Sequence, residues 1–102
     1  MTLRDKQSEF ARAVGLLITY AYYMGYELTL GDAYATTGYK QNSFHGKRLA
    51  IDLNLFRDGN YLTETQDHLP LGEYWEQLGG TWGGRFNDGN HYELCKWKRD
   101  DN

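Results

Sequence analysis

Disulfide-forming cysteine, long apolar runs and an excess of basic charge are what this chain lacks. Its single cysteine, Cys95, permits no internal disulfide, so nothing demands an oxidising compartment. Cys95 sits in a strand-like run, Tyr92 to Trp97, and reads as a small packing residue. No apolar run approaches the length that spans a bilayer, and the N-terminus shows no basic region, apolar core and cleavage site of a signal peptide. The expectation is a protein that accumulates in the cytoplasm of whatever makes it, so that another factor must carry it to any substrate beyond the membrane. A formal net charge of −3 argues against nucleic acid as the main partner, because phosphate binding needs a basic surface. The basic tail Lys96-Trp97-Lys98-Arg99 is partly cancelled by Asp100 and Asp101 and reads as a solvated terminus.

What is present fits one domain over residues 1–102, large enough for a modest core without staples. Phe10, Val14, Leu17, Ala21 and Met24 recur at helical spacing, with Leu3 extending the stripe backwards, so Thr2 to Met24 reads as the main helix. Thr2 caps it, with Asp5 in the capping-box position, and Gly25 stops it. Val14 to Met24 is apolar or aromatic almost all round, which predicts burial on several sides. Tyr26 to Thr36 alternates as a first strand, and Asp58-Gly59-Asn60 is a hairpin turn followed by a strand from Tyr61 to Thr63. Thr65 to Pro70 reads as a connection and Leu71 to Leu78 as a short helix ended by Gly79-Gly80. Trp82 to Phe86 is a glycine-rich loop, and a last strand begins at His91. The mixture predicts an α+β fold with an antiparallel sheet backed by the long helix.

The informative stretch is Ser43 to Leu53. Leu49, Ile51, Leu53 and Leu55 alternate with Ala50, Asp52, Asn54 and Phe56, the period of a strand. Asp52 then falls mid-strand on the face opposite the leucines, where a carboxylate is costly unless paired. Its partner is Arg48 or Arg57 in an ordinary salt bridge, or else the histidines His45 and His91. Arg48, four residues away in a regular strand, lies about 13 Å along it, too far for contact unless the strand bends. Two imidazoles and one carboxylate meeting at one point make a three-ligand zinc site with an open position. Spacing alone leaves the choice open.

Ser43-x-His45, Ala50-x-Asp52 and Asp88-x-x-His91 together resemble the signature of the M15 family of zinc peptidases. The similarity runs from about Leu28 to Tyr92, includes Trp82-Gly83-Gly84-Arg85-Phe86, and looks closest to the small phage-encoded branch that cuts peptidoglycan. It implies a Hedgehog/DD-peptidase-like fold in which His45, Asp52 and His91 hold Zn²⁺ and Asp88 is the general base. Ser43, Arg48 and Trp82 would meet substrate. It further implies a monomer acting on bacterial peptidoglycan as an L-alanyl-D-glutamate endopeptidase in phage lysis or wall penetration, made in the host cytoplasm. The rivals are a D-Ala-D-Ala carboxypeptidase or dipeptidase, and a non-catalytic zinc domain that binds cell wall. Many relatives carry Tyr-Arg after the first strand, whereas here Tyr34 is followed by Ala35. Lys40 and Arg48 are the nearest cations that could substitute.

Each choice has a plainer competitor. Asp88-Gly89-Asn90 repeats the turn tripeptide Asp58-Gly59-Asn60, so Asp88 can be read as a turn residue; only its place three residues before His91 sets it apart. Glu93, two residues past His91 on the same strand face, competes with Asp88 for the role of base. His68, before Leu69-Pro70, suits helix entry or packing and is the alternative ligand. Ser43 is no nucleophile, since no Gly-x-Ser-x-Gly elbow surrounds it. Trp82 and Arg85 are also explained by an aromatic anchor in a glycine-rich turn.

Overall fold

The computed structural model describes residues 1–33 and 47–94. Helix α1 spans Leu3–Tyr23 and is capped as its sequence predicts: Thr2 Oγ1 accepts from the Asp5 amide and the Asp5 carboxylate accepts from the Thr2 amide, both at 3.1 Å. Such a cap contributes about 1 kcal/mol. Gly25, at φ +90°, ends the helix by taking a left-handed conformation that side chains resist. Phe10, Val14, Leu17 and Ala21 face the core.

The expectation that Val14 to Met24 is buried on several sides is corrected. Leu16, Tyr22, Tyr23 and Met24 are exposed, Tyr23 at 85%. The helix has one sheet face and one short helix to lean on, and a tyrosine leaves its polar end in water at little cost. Tyr22 uses that end: its hydroxyl donates to the Leu28 carbonyl at 3.4 Å, and the Leu28 amide donates to it at 3.3 Å.

The strands are β1 (Glu27–Leu30), β2 (Ala50–Arg57), β3 (Asn60–Leu62), β4 (Thr81–Trp82) and β5 (His91–Glu93). All the pairings are antiparallel, in the order β1-β2-β5-β4, with β3 also on β2. Strand β2 is the spine. β1 lies along one of its edges, while β5 takes residues 50–52 and β3 takes residues 55–57 of the other. Leu49, Ile51, Leu53 and Leu55 are buried as the alternation requires. They pack with α1, Trp75, Trp82 and Tyr92 in one core. Burying each leucine fully is worth about 1.5–3 kcal/mol.

Helix α2 spans Leu69–Gln77, beginning two residues before the predicted start because Pro70 is tolerated in a first helical turn. The predicted connection from Thr65 is a 3₁₀ turn, Thr65–His68, and Gly83–Phe86 is a second. Tyr20 of α1 stacks on Tyr74 of α2 at 4.1 Å between centroids. No helix among the described residues is long and apolar enough to cross a membrane. This is the α+β architecture that the sequence pattern predicts.

Candidate active site

The helices cover one face of the sheet. The other face carries the side chains that alternate with the leucines. Asp52 of β2 is directly opposite His91 of β5. The Leu53 amide donates to the Asn90 carbonyl at 2.9 Å, which makes Asp52 and His91 a non-hydrogen-bonded pair, the kind whose side chains approach closest. On the other edge Asp52 is held by Gly31 N–H on its carbonyl (2.7 Å) and by its own amide on the Asp32 carbonyl (2.9 Å). The backbone is therefore fixed on both sides of the carboxylate.

Nδ1 of His91 lies 3.3 Å from Asp52 Oδ1. That is long for a charge-assisted hydrogen bond, which falls near 2.7–2.9 Å. The far nitrogen, Nε2, lies 2.8 Å from Glu93 Oε1. Side-chain exposure is 21% for Asp52, 18% for His91 and 16% for Glu93. Burial alone lowers the imidazole pKa, but its contacts with the Asp52 and Glu93 carboxylates, which accept from the ring, and their negative charges outweigh it and raise it to about 9. Two carboxylates thus favour positive charge at this place.

The donor set suits zinc as far as it is described: one imidazole and one carboxylate, with the ring's second nitrogen engaged by another carboxylate. Among the described residues no group of three or more His, Cys, Asp or Glu is arranged to hold a metal ion. His45, the third donor named by the resemblance, lies outside the described residues, as do Ser43, Lys40, Tyr34, Ala35 and Cys95.

Asp88 is exposed on the turn that leads into β5. Its amide donates to the Gly83 carbonyl at 3.0 Å, and its carbonyl accepts from the His91 amide at 3.2 Å. The turn is thereby tied to the strand that carries the imidazole. A polar cleft opens where β3 and β5 part along the edge of β2. Asn54, Tyr61, Glu64, Thr65, His68 and Asp88 are among the residues that line it. Asn54 is tied across the sheet, donating to Thr29 Oγ1 (3.2 Å) and accepting from the Tyr61 hydroxyl (3.4 Å). This open-face network escaped the sequence reading; alternation marked Asn54 as outward, but its partners depend on register.

Other candidates sit elsewhere. Trp82 is 2% exposed, packs against Gly72 and Gly84, and donates its indole N–H to the Gly89 carbonyl at 2.7 Å, so it is an anchor in the core. Arg85 forms a two-point ion pair with Glu76 at 2.7 and 3.0 Å. Arg48 is exposed, with φ 58°, in the turn ahead of β2, so a regular-strand distance to Asp52 does not apply to it. Arg57 donates to the Met24 carbonyl at 2.7 Å and covers the Tyr26 ring, which places it at the end of α1. His68 is buried, its Nδ1 2.8 Å from the Tyr92 hydroxyl, and burial lowers its pKa to about 4. It is a packing histidine of the cleft floor.

The α+β domain sets an imidazole and a carboxylate side by side on an open sheet face, with an exposed aspartate on the adjoining turn. The chain belongs to the M15 peptidases: residues 37–94, more than half of its length, match the family model described as D-alanyl-D-alanine carboxypeptidase. The match spans Ser43, His45, Asp52, Asp88 and His91. A search of curated proteins finds none that matches the chain.

Proposed function

We propose that the protein is a zinc-dependent peptidoglycan peptidase that hydrolyses the L-alanyl–D-glutamate bond of the stem peptide, in a phage lysis or wall-penetration setting. The observation that carries the reading is the Asp52–His91 pair, 3.3 Å apart on the open sheet face, with Asp88 on the turn three residues before the imidazole. His45, Asp52 and His91 would hold the ion. Bound zinc supplies a polarised carbonyl and water whose pKa is lowered towards neutrality.

The chain's own groups do the rest. Asp88 takes a proton from the attacking water and delivers it to the leaving amine. Its exposure at the mouth of the cleft suits that traffic. Asn54 and Tyr61, on the same open face, offer an amide and a hydroxyl to a peptide backbone.

The family description favours a second reading, a carboxypeptidase that removes terminal D-alanine. Such an enzyme binds a free carboxylate and uses a basic residue for it. Ala35 stands where many relatives carry arginine, which supports the endopeptidase. Digestion of purified sacculi and of defined muropeptides by the zinc-loaded protein separates the readings. New glutamate amino groups are expected. Release of free D-alanine would establish the carboxypeptidase instead, and zinc binding with no cleavage would leave a wall-binding domain.

A further inference from the structure

We infer that Glu93 is a positioning residue for His91, fixing its tautomer and ring orientation, and that Ala50 is the small neighbour that makes room for it. The inference rests on the zinc reading above and adds a residue that the ligand signature does not contain.

Glu93 and His91 are two apart on β5 and share a face. Side chains at that spacing leave a strand about 6.5–7 Å apart, so one must lean along the strand to meet the other. Here they meet, with Nε2 and Oε1 at 2.8 Å. Three features allow it. Across the sheet Glu93 faces Ala50, which presents only a methyl group. The Leu94 amide donates to the Leu49 carbonyl, so Ala50 and Glu93 are again a close, non-hydrogen-bonded pair, where a larger residue would compete for the space. The Glu93 carbonyl accepts from Trp75 Nε1 at 2.8 Å, which pins the backbone from the core side.

The chemical consequence follows from the two ring nitrogens. A carboxylate that accepts from Nε2–H leaves the lone pair on Nδ1, the nitrogen that faces Asp52. The same bond stops the ring from turning over and makes Nδ1 a stronger donor to a cation. With only 16% of its side chain exposed, Glu93 acts where solvent competes weakly. Glu93 therefore works through His91, whereas Asp88 addresses the water and the leaving group.

Zinc affinity of the whole chain, read by chelator competition, tests this with wild type, Glu93→Gln and Glu93→Ala. Glu93→Ala should weaken zinc binding about 10–100-fold. Glu93→Gln, whose amide oxygen still accepts, should recover most of that loss. In zinc-loaded wild type, long-range ¹H–¹⁵N NMR should place the His91 ring proton on Nε2; this measurement depends on no variant folding. A proton on Nδ1, or unchanged affinity in Glu93→Ala, overturns the inference while leaving the zinc site intact. Activity lost with affinity unchanged also overturns it, because Glu93 would then act on the reaction itself. Wild type that binds no zinc overturns the underlying reading instead.

Discussion

The tripeptide Asp-Gly-Asn occurs twice, and the two copies do different things. At Asp58-Gly59-Asn60 the chain makes a two-residue hairpin turn between β2 and β3, with φ 52° and 80° at its centre. It is exposed, and a side chain added at Gly59 meets nothing within 4 Å. At Asp88-Gly89-Asn90 the glycine is buried against Thr65: its amide donates to Thr65 Oγ1 (3.1 Å) and its carbonyl accepts from Trp82 Nε1 (2.7 Å). Asn90 gives its carbonyl to Leu53. The first copy is closed by its own dihedral angles, the second by four other parts of the fold. A turn that only reverses the chain needs no such fastening. On the proposed mechanism the second turn must also hold a carboxylate in register with an imidazole.

The sharpest break in the comparison is catalytic. Asp88→Ala should lower turnover on sacculi by about 10²–10⁴-fold with zinc content unchanged, the usual worth of a positioned acid–base group. Asp58→Ala should leave turnover as it is. Near-normal turnover in Asp88→Ala would return Asp88 to the status of its twin, a turn residue.

Stability should separate the glycines next. A Cβ at Gly89 would lie 2.6 Å from Thr65 Cα and 2.9 Å from Thr65 O, backbone atoms that cannot swing aside. Gly89→Ala should cost about 3 kcal/mol in urea unfolding, the upper end of the usual range for overpacked cores. Gly59→Ala meets open space and pays only for its left-handed φ, about 1 kcal/mol. Equal losses at the two sites would mean that the second turn relaxes away from Thr65 without penalty.

Acid should loosen one turn and spare the other. His68 lies in the 3₁₀ turn that begins with Thr65, under the second copy. Its folded pKa of about 4 is below the ordinary 6.5, so the unfolded chain binds the extra proton first. This contribution is fully present above pH 6.5, falls as pH drops towards 4, and is gone below it. The loss amounts to up to about 3 kcal/mol. His68→Asn should flatten the difference between urea midpoints measured at pH 7.5 and pH 5. An unchanged slope would place the acid sensitivity in other groups.

Which of these features the sequence discloses depends on how local each one is. The cap of α1, the alternation of β2 and the left-handed pair Asp58-Gly59 are set by residues within four positions of one another, and they read directly. The two-residue strand β4 is too short to show a period, and the first 3₁₀ turn has no apolar stripe to announce it. The exposure of Tyr22 and Tyr23 depends on how much of α1 its neighbours cover, which no helical wheel contains. Asp52 as an outward carboxylate was legible from alternation. Its pairing with His91, thirty-nine positions away, is a matter of register, and the choice of His91 over Arg57 came from the resemblance. Glu93 was visible as a neighbour of the imidazole on the same face, but its hydrogen bond was not, because two-apart side chains meet only when one leans along the strand, and the room for that depends on what lies across the sheet.

The smallest effect tests how the second turn is held. Trp82→Phe keeps most of the ring volume between Gly72 and Gly84 and removes the one donor that reaches the Gly89 carbonyl from the core. A buried acceptor left without its donor costs about 1–2 kcal/mol, more than the net worth of the bond itself. For a domain of this size that lowers the melting temperature by roughly 4–8 °C per kcal/mol. The functional consequence separates anchor from ligand contact. As an anchor, Trp82 acts through the placement of Asp88, so kcat should fall modestly while KM for a soluble muropeptide stays put. A rise in KM with kcat unchanged would show instead that the indole reaches substrate.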